Sequence, residues 1–146
     1  MSKLPTRSPT HQEIEPDRLV RLGLDLEDIA VAETVPFGAL RELAAEAGKP
    51  VSHYLAAIPL ATELRLATDG SVVTARVCAG TCQRYGALDL LEHLAEHHAP
   101  RVAIEPVACL DRCDQGPACE LHGAHGQLVL APATTAALDE ALRELT

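Results

Sequence analysis

Ser71-Val72-Val73-Thr74-Ala75-Arg76-Val77-Cys78 and Val102-Ala103-Ile104-Glu105-Pro106-Val107-Ala108-Cys109 decide the reading of this chain. Both runs are rich in β-branched residues, and both lead into a cysteine that has a second cysteine four positions on, Cys82 and Cys113 respectively. Between the runs, Gly86 to His98 places Leu88, Leu91, Leu94 and Ala95 along one side of a helix that ends near Pro100. Strand, crossover helix and strand make parallel neighbours, so the two C-terminal ends should lie about 5 Å apart. Each strand then delivers one cysteine pair to the same sheet edge. Four thiolates converging on loops form the ligand set of a [2Fe–2S] centre, which makes Cys78, Cys82, Cys109 and Cys113 the expected cluster and metal ligands.

Outward from this core, Ala118 to His122 and Gln127 to Ala131 read as short strands joined around Gly123 and Gly126. Thr135 reads as the cap of a last helix with Leu138, Ala141, Leu142 and Leu145 as its buried stripe. Upstream, Glu63 to Leu66 alternates polar and apolar, and the Asp69-Gly70 turn signal predicts a hairpin with Ser71 to Val77. The order from Ser71 is β-α-β-β-β-α, a thioredoxin-like arrangement in an α/β sandwich of two or three layers.

The first third reads as small helices. Leu19, Leu22, Leu24 and Leu26 give a mixed pattern within Asp17 to Ile29. Thr34 is the expected cap of a helix with Pro36 in its first turn and Gly48 past its end, and Ser52 that of another closed by Pro59. The expected organisation is a partly disordered tail with a weak helix over 1–33, a helical extension over 34–60 and the α/β domain over 61–146.

With 47% hydrophobic residues, 146 residues suffice for one core. No run approaches the roughly 20 apolar residues of a membrane span, and Met1 to Pro16 does not read as a signal peptide, so a cytoplasmic location is expected. A net charge of −9 disfavours nucleic acid and favours a partner with a basic face. Five cysteines, four of them closely paired, suit metal or redox chemistry in a reducing compartment better than disulfides.

The segments Val77-Cys78-Ala79-Gly80-Thr81-Cys82-Gln83-Arg84-Tyr85-Gly86-Ala87 and Cys109-Leu110-Asp111-Arg112-Cys113-Asp114-Gln115-Gly116-Pro117 resemble the thioredoxin-like [2Fe–2S] ferredoxins. The likeness is to the 24-kDa-type subunit of respiratory complex I and its relatives in NAD-dependent formate dehydrogenases and bidirectional hydrogenases, over roughly Pro36 to Leu145. Ala79, Gly80 and Thr81 intervene in the first pair where that family usually has four residues. The resemblance implies a non-catalytic one-electron carrier. Its partner would be an FMN- and NAD(H)-binding oxidoreductase subunit, with a freestanding or homodimeric ferredoxin as the variation. Arg84 and Arg112 would compensate cluster charge or orient the partner, or be solvated surface residues.

Other readings of the same side chains stay open. Zinc also takes Cys₄ coordination, so a structural zinc module or a cluster-free interaction module on the same fold is the alternative. Cys119 reads as an ordinary core thiol, or as a replacement ligand for Cys113. His93 and His97 stand four apart on a helix but share it with Glu92 and Glu96, which suits a solvated face; His122 and His125 belong to a turn. No cysteine pair with two intervening residues supports thioredoxin-type chemistry, and no nucleophile elbow or phosphate loop supports catalysis.

Overall fold

The computed structural model describes residues 14–67, 73–80, 83, 86–99, 101–109, 117–124 and 126–145. The chain is α/β, in the order α1 (Pro16–Ile29), β1 (Thr34–Val35), α2 (Phe37–Ala47), α3 (Val51–Ala61), β2 (Arg65–Leu66), β3 (Val73–Cys78), α4 (Ala87–His97), β4 (Val102–Val107), β5 (Cys119–Gly123), β6 (Gly126–Leu130) and α5 (Thr135–Leu145). The main sheet has the order β4-β3-β5-β6. In it β3 and β4 run parallel, paired from Val73↔Val102 to Cys78↔Val107, and the remaining neighbours are antiparallel.

The side-chain alternation of the strands sorts the sheet into two faces. Val73, Ala75 and Val77 pair with Val102, Ile104 and Pro106, and Val77 and Ala75 pair on their other side with Cys119 and Leu121. All of these residues are buried, and they form the core with Ala87, Leu90, Leu91, Leu94 and Ala95 of α4 and Leu138, Ala141 and Leu142 of α5. The other face is mixed, with Thr74, Arg76, Glu105 and Glu120 beside the buried Ala103 and Cys78. There the Arg76 Nη1 sits 3.1 Å from Glu120 Oε1 and its Nε 3.6 Å from Glu105 Oε2, a cross-strand ion trio. Pro106 lies in β4, which ends the order of this sheet, where a residue without an N–H is tolerated.

The helices of the first third join the same core. Leu22 and Leu26 of α1, Leu40 and Ala44 of α2, and Tyr54 to Ile58 of α3 are buried in one cluster with the α4 leucines. At roughly 2 kcal/mol per fully buried leucine, this contact is a principal source of stability. Two polar links fix its geometry. The Tyr54 hydroxyl donates to Asp25 Oδ2 at 3.0 Å, tying α3 to α1, and the Ser52 N–H donates to Glu92 Oε1 at 2.9 Å, tying the start of α3 to α4. The Glu92 carboxylate thus satisfies one of the amide groups at a helix N-terminus and meets the positive end of its dipole.

Five local expectations differ from what is found. Ser52 does not cap α3, which begins at Val51 after Pro50 and takes Ser52 into its first turn. Thr34 does not cap α2; it forms β1 and its hydroxyl donates to the Val31 carbonyl at 2.8 Å. Pro36 disfavours a helical Val35, so the helix starts beyond it, at Phe37, and ends as expected at Gly48 with φ 67°. Pro59 does not close α3, which continues to Ala61 because the burial of Tyr54 to Ile58 outweighs the one hydrogen bond that a proline removes. The cap of α5 is Thr134, whose hydroxyl accepts from the Ala137 N–H at 3.1 Å, with Thr135 as the first helical residue. The expected hairpin is replaced by a parallel pairing of β2 with β1, Thr34↔Arg65 and Val35↔Leu66. Alternation shows which face a strand buries but not which strand it joins. The Asp69-Gly70 turn and the start of the strand at Ser71 and Val72 lie outside the described residues, as do Met1 to Gln12 and Glu13 of the expected tail.

Glu92→Ala should cost about 1–2 kcal/mol, seen as a lower urea midpoint at unchanged slope, with Glu92→Gln recovering part of the loss. Burial, reinforced by the hydrogen bond to Asp25 and its charge, pushes the Tyr54 hydroxyl up to about 12 from 10.0. Folding therefore favours protonated Tyr54, and its contribution to stability is complete below pH 10 and lost as pH rises toward about 12. Denaturation measured across this range should show that decline, and Tyr54→Phe should flatten it.

Candidate functional site

The parallel register carries Cys78 and the approach to Cys109 to one edge of the sheet. Cys78 is the last residue of β3 and pairs with Val107, two residues before Cys109. Its N–H donates to the Ala118 carbonyl at 3.2 Å, and the next N–H, of Ala79, donates to the Val107 carbonyl at 2.7 Å. The Cys78 Sγ lies 3.8 Å from the Ala108 carbonyl oxygen. Contact between the two chain segments therefore persists past the ladder and into the loops. Cys78 is 1% exposed and Cys109 is exposed, so one thiol is embedded and the other faces outward.

Gly80 is required by this approach. A Cβ there would run into the Ala108 carbonyl oxygen, so any other residue forces the two segments apart. Cys82 and Cys113 lie outside the described residues, as do Thr81, Arg84, Arg112 and Gly116.

A residue that the sequence did not single out holds the first loop. Gln83 is 3% exposed and its polar groups are engaged: Nε2 donates to the Ala79 carbonyl at 2.7 Å, Oε1 accepts from the Ile14 N–H at 2.8 Å, and its own N–H donates to the Gly80 carbonyl at 3.0 Å. A buried amide with all of these bonds made specifies one arrangement, because leaving any of them unmade costs about 1–3 kcal/mol. The only sequence signal was an uncharged polar residue next to Cys82 in a segment that otherwise looked like a loop. Its partner Ile14 is 69 positions away, beyond any local pattern.

Cys119 belongs elsewhere. It pairs directly with Val77 and so shares the core face, whereas Cys78 lies one position further along β3 and points to the opposite side. Cys119 is 0% exposed, and burial, with the nearby Glu120 charge, pushes its thiol up to about 12. At neutral pH it stays a neutral core thiol, as its place in a strand suggested.

The histidines of α4 are more organised than a solvated face implies. Among the described residues, one group gathers three metal-capable side chains within 4.8 Å of one another, His93, His98 and Asp139. His97, its ring 4.7 Å from that of His93, points outward near Glu96. Hydrogen bonding to His93, and secondarily to His98, holds the Asp139 carboxyl below the usual carboxylate range. His98 was missed because it follows the last helical residue, outside the i, i+4 spacing in which a ligand pair is sought. Among the described residues no helix is long and apolar enough to cross a membrane.

No protein-family model matches the chain, and no curated protein does.

Cys119→Ala should leave chemistry at the sheet edge intact while costing about 1 kcal/mol of stability. In the folded chain freed of metal, iodoacetamide should label the exposed Cys109 quickly and the buried Cys119 only on global unfolding, as followed by peptide mass spectrometry.

Proposed function

We propose that this chain is a one-electron carrier of the thioredoxin-like ferredoxin type, with Cys78, Cys82, Cys109 and Cys113 as the ligands of a [2Fe–2S] cluster. The observation that carries the reading is the in-register pairing of Cys78 with Val107, which brings the Cys78 sulfur against the residue before Cys109. In support, the sheet order β4-β3-β5-β6 with α4 between its parallel pair is compatible with a thioredoxin-like reading. The donor set is also chemically suited. Cys78 at the end of β3 and Cys109 two residues past β4 arrive at one end of the sheet, and the core thiol Cys119 lies on the opposite face.

A [2Fe–2S] centre bound there would supply reversible one-electron redox chemistry. The chain's own contribution is positional. Burial of Cys78 excludes water on one side, the exposed Cys109 gives access on the other, Gly80 lets the two segments approach at Ala108, and Gln83 ties the residues after Cys78 to the backbone before α1. With a net charge of −9, the carrier suits a docking partner with a basic face, and by resemblance that partner is an FMN- and NAD(H)-binding oxidoreductase subunit.

The test is an anaerobic visible spectrum with iron and sulfide analysis, followed by EPR after reduction. The expected outcome is about two iron and two sulfide per chain and a signal only in the reduced state. Cys78→Ser and Cys109→Ser should each lose most of the visible absorption, Cys119→Ala should keep it, and Gly80→Ala should lower occupancy. A colourless protein holding zinc, or no metal after anaerobic reconstitution, would overturn the reading in favour of a structural module.

A further inference from the structure

We propose that His93, His98 and Asp139 form a second, sulfur-free site for a first-row divalent cation of the zinc class, fastening α5 to the end of α4. The three side chains converge on one point from two elements far apart in sequence. The Nε2 atoms of His93 and His98 each lie 2.7 Å from the same oxygen, Asp139 Oδ1, across separations of 46 and 41 residues. The helix ends at His97, and His98 leaves it with φ −120°, which swings its ring back to within 5.5 Å of the His93 ring.

The donors match the cation. Two imidazoles and one carboxylate are borderline ligands that suit zinc, and a tetrahedral ion with bonds near 2.0–2.1 Å separates its ligand atoms by about 3.3 Å. The nitrogen–oxygen distances of 2.7 Å need to open by only about 0.6 Å, a small rotation of side chains that are already gathered. Exposure also fits. The two imidazoles, at 21% and 16%, are largely out of water, whereas Asp139, at 40%, opens to it and leaves a fourth position for solvent. A hydrogen-bonded link between the two helices needs only one histidine on Asp139. The second imidazole, aimed by the same ring atom at the same oxygen, completes a tridentate set.

This site is independent of the cysteines, so it stands or falls separately from the cluster. The probe is Co²⁺ added to the full chain under anaerobic conditions, followed by Zn²⁺ displacement. Expected is one equivalent giving weak ligand-field bands in the visible, without the intense thiolate-to-cobalt charge transfer that binding at cysteines produces. His98→Ala and Asp139→Asn should each weaken the binding at least tenfold. Zinc should raise the Tm of the unsubstituted chain by roughly 9 °C at a hundredfold excess over its Kd, and at the same concentration shift the variants by about half of that or less. Nitrogen-15 NMR of the unsubstituted chain gives a measurement that needs no variant: zinc should shift the Nε2 resonances of His93 and His98 and spare those of His122. Failure of those resonances to move, or cobalt binding of equal strength in both variants, would overturn the site and leave the trio as a hydrogen-bonded tie.

Discussion

Parallel pairing of β3 with β4 is the constraint from which the remaining geometry follows. Parallel neighbours need a long crossover, and α4 supplies it, laying its leucines on the face where Val73, Ala75 and Val77 already point. The same register determines which side of the sheet each cysteine takes. Moving β4 by one residue would put Glu105 into the core and separate the Cys78 sulfur from Ala108. The hydrophobic core and the chemistry at the edge are therefore selected by a single alignment.

The helices before the sheet belong to that alignment too. α3 is wedged between α1 and α4, with buried residues from Ser52 to Ile58, and its ends are held by Glu92 and by the Thr62 hydroxyl, which donates to the Ile58 carbonyl at 2.6 Å. Gln83 carries the connection further, since it bonds at once to the loop after β3 and to the backbone just before α1. The segment that sequence reading treats as an extension is thus structurally continuous with the loop beside Cys78.

Much of this was legible in the residues because the signals were local. Apolar spacing located α4 and α5, β-branched runs located β3 and β4, and Gly48 marked the end of α2. What was not legible depended on distant partners. Alternation at Arg65 and Leu66 showed a strand but could not choose β1 over β3, and the Pro59 signal was overridden by burial that only the packed helix reveals. The candidate site divides in the same way. Cys78 and Cys109 announce themselves by spacing and strand context, whereas Gln83 and Asp139 acquire their roles from residues that lie 69 and at least 41 positions away.

The reach of Gln83 also sets an order in time. Ile14 leaves the ribosome 69 residues ahead of the side chain that receives its N–H, an interval of roughly 3–14 s at ordinary synthesis rates. During that interval α1, α2 and α3 have been made, but neither α4, against which α3 buries its apolar surface, nor Gln83 has followed. The side of α3 that faces α4 is consequently uncovered by it for the first seconds, and Ile14 waits for the Gln83 side chain to close its hydrogen bond. Completion of the sheet edge therefore depends on a segment synthesised 69 residues earlier.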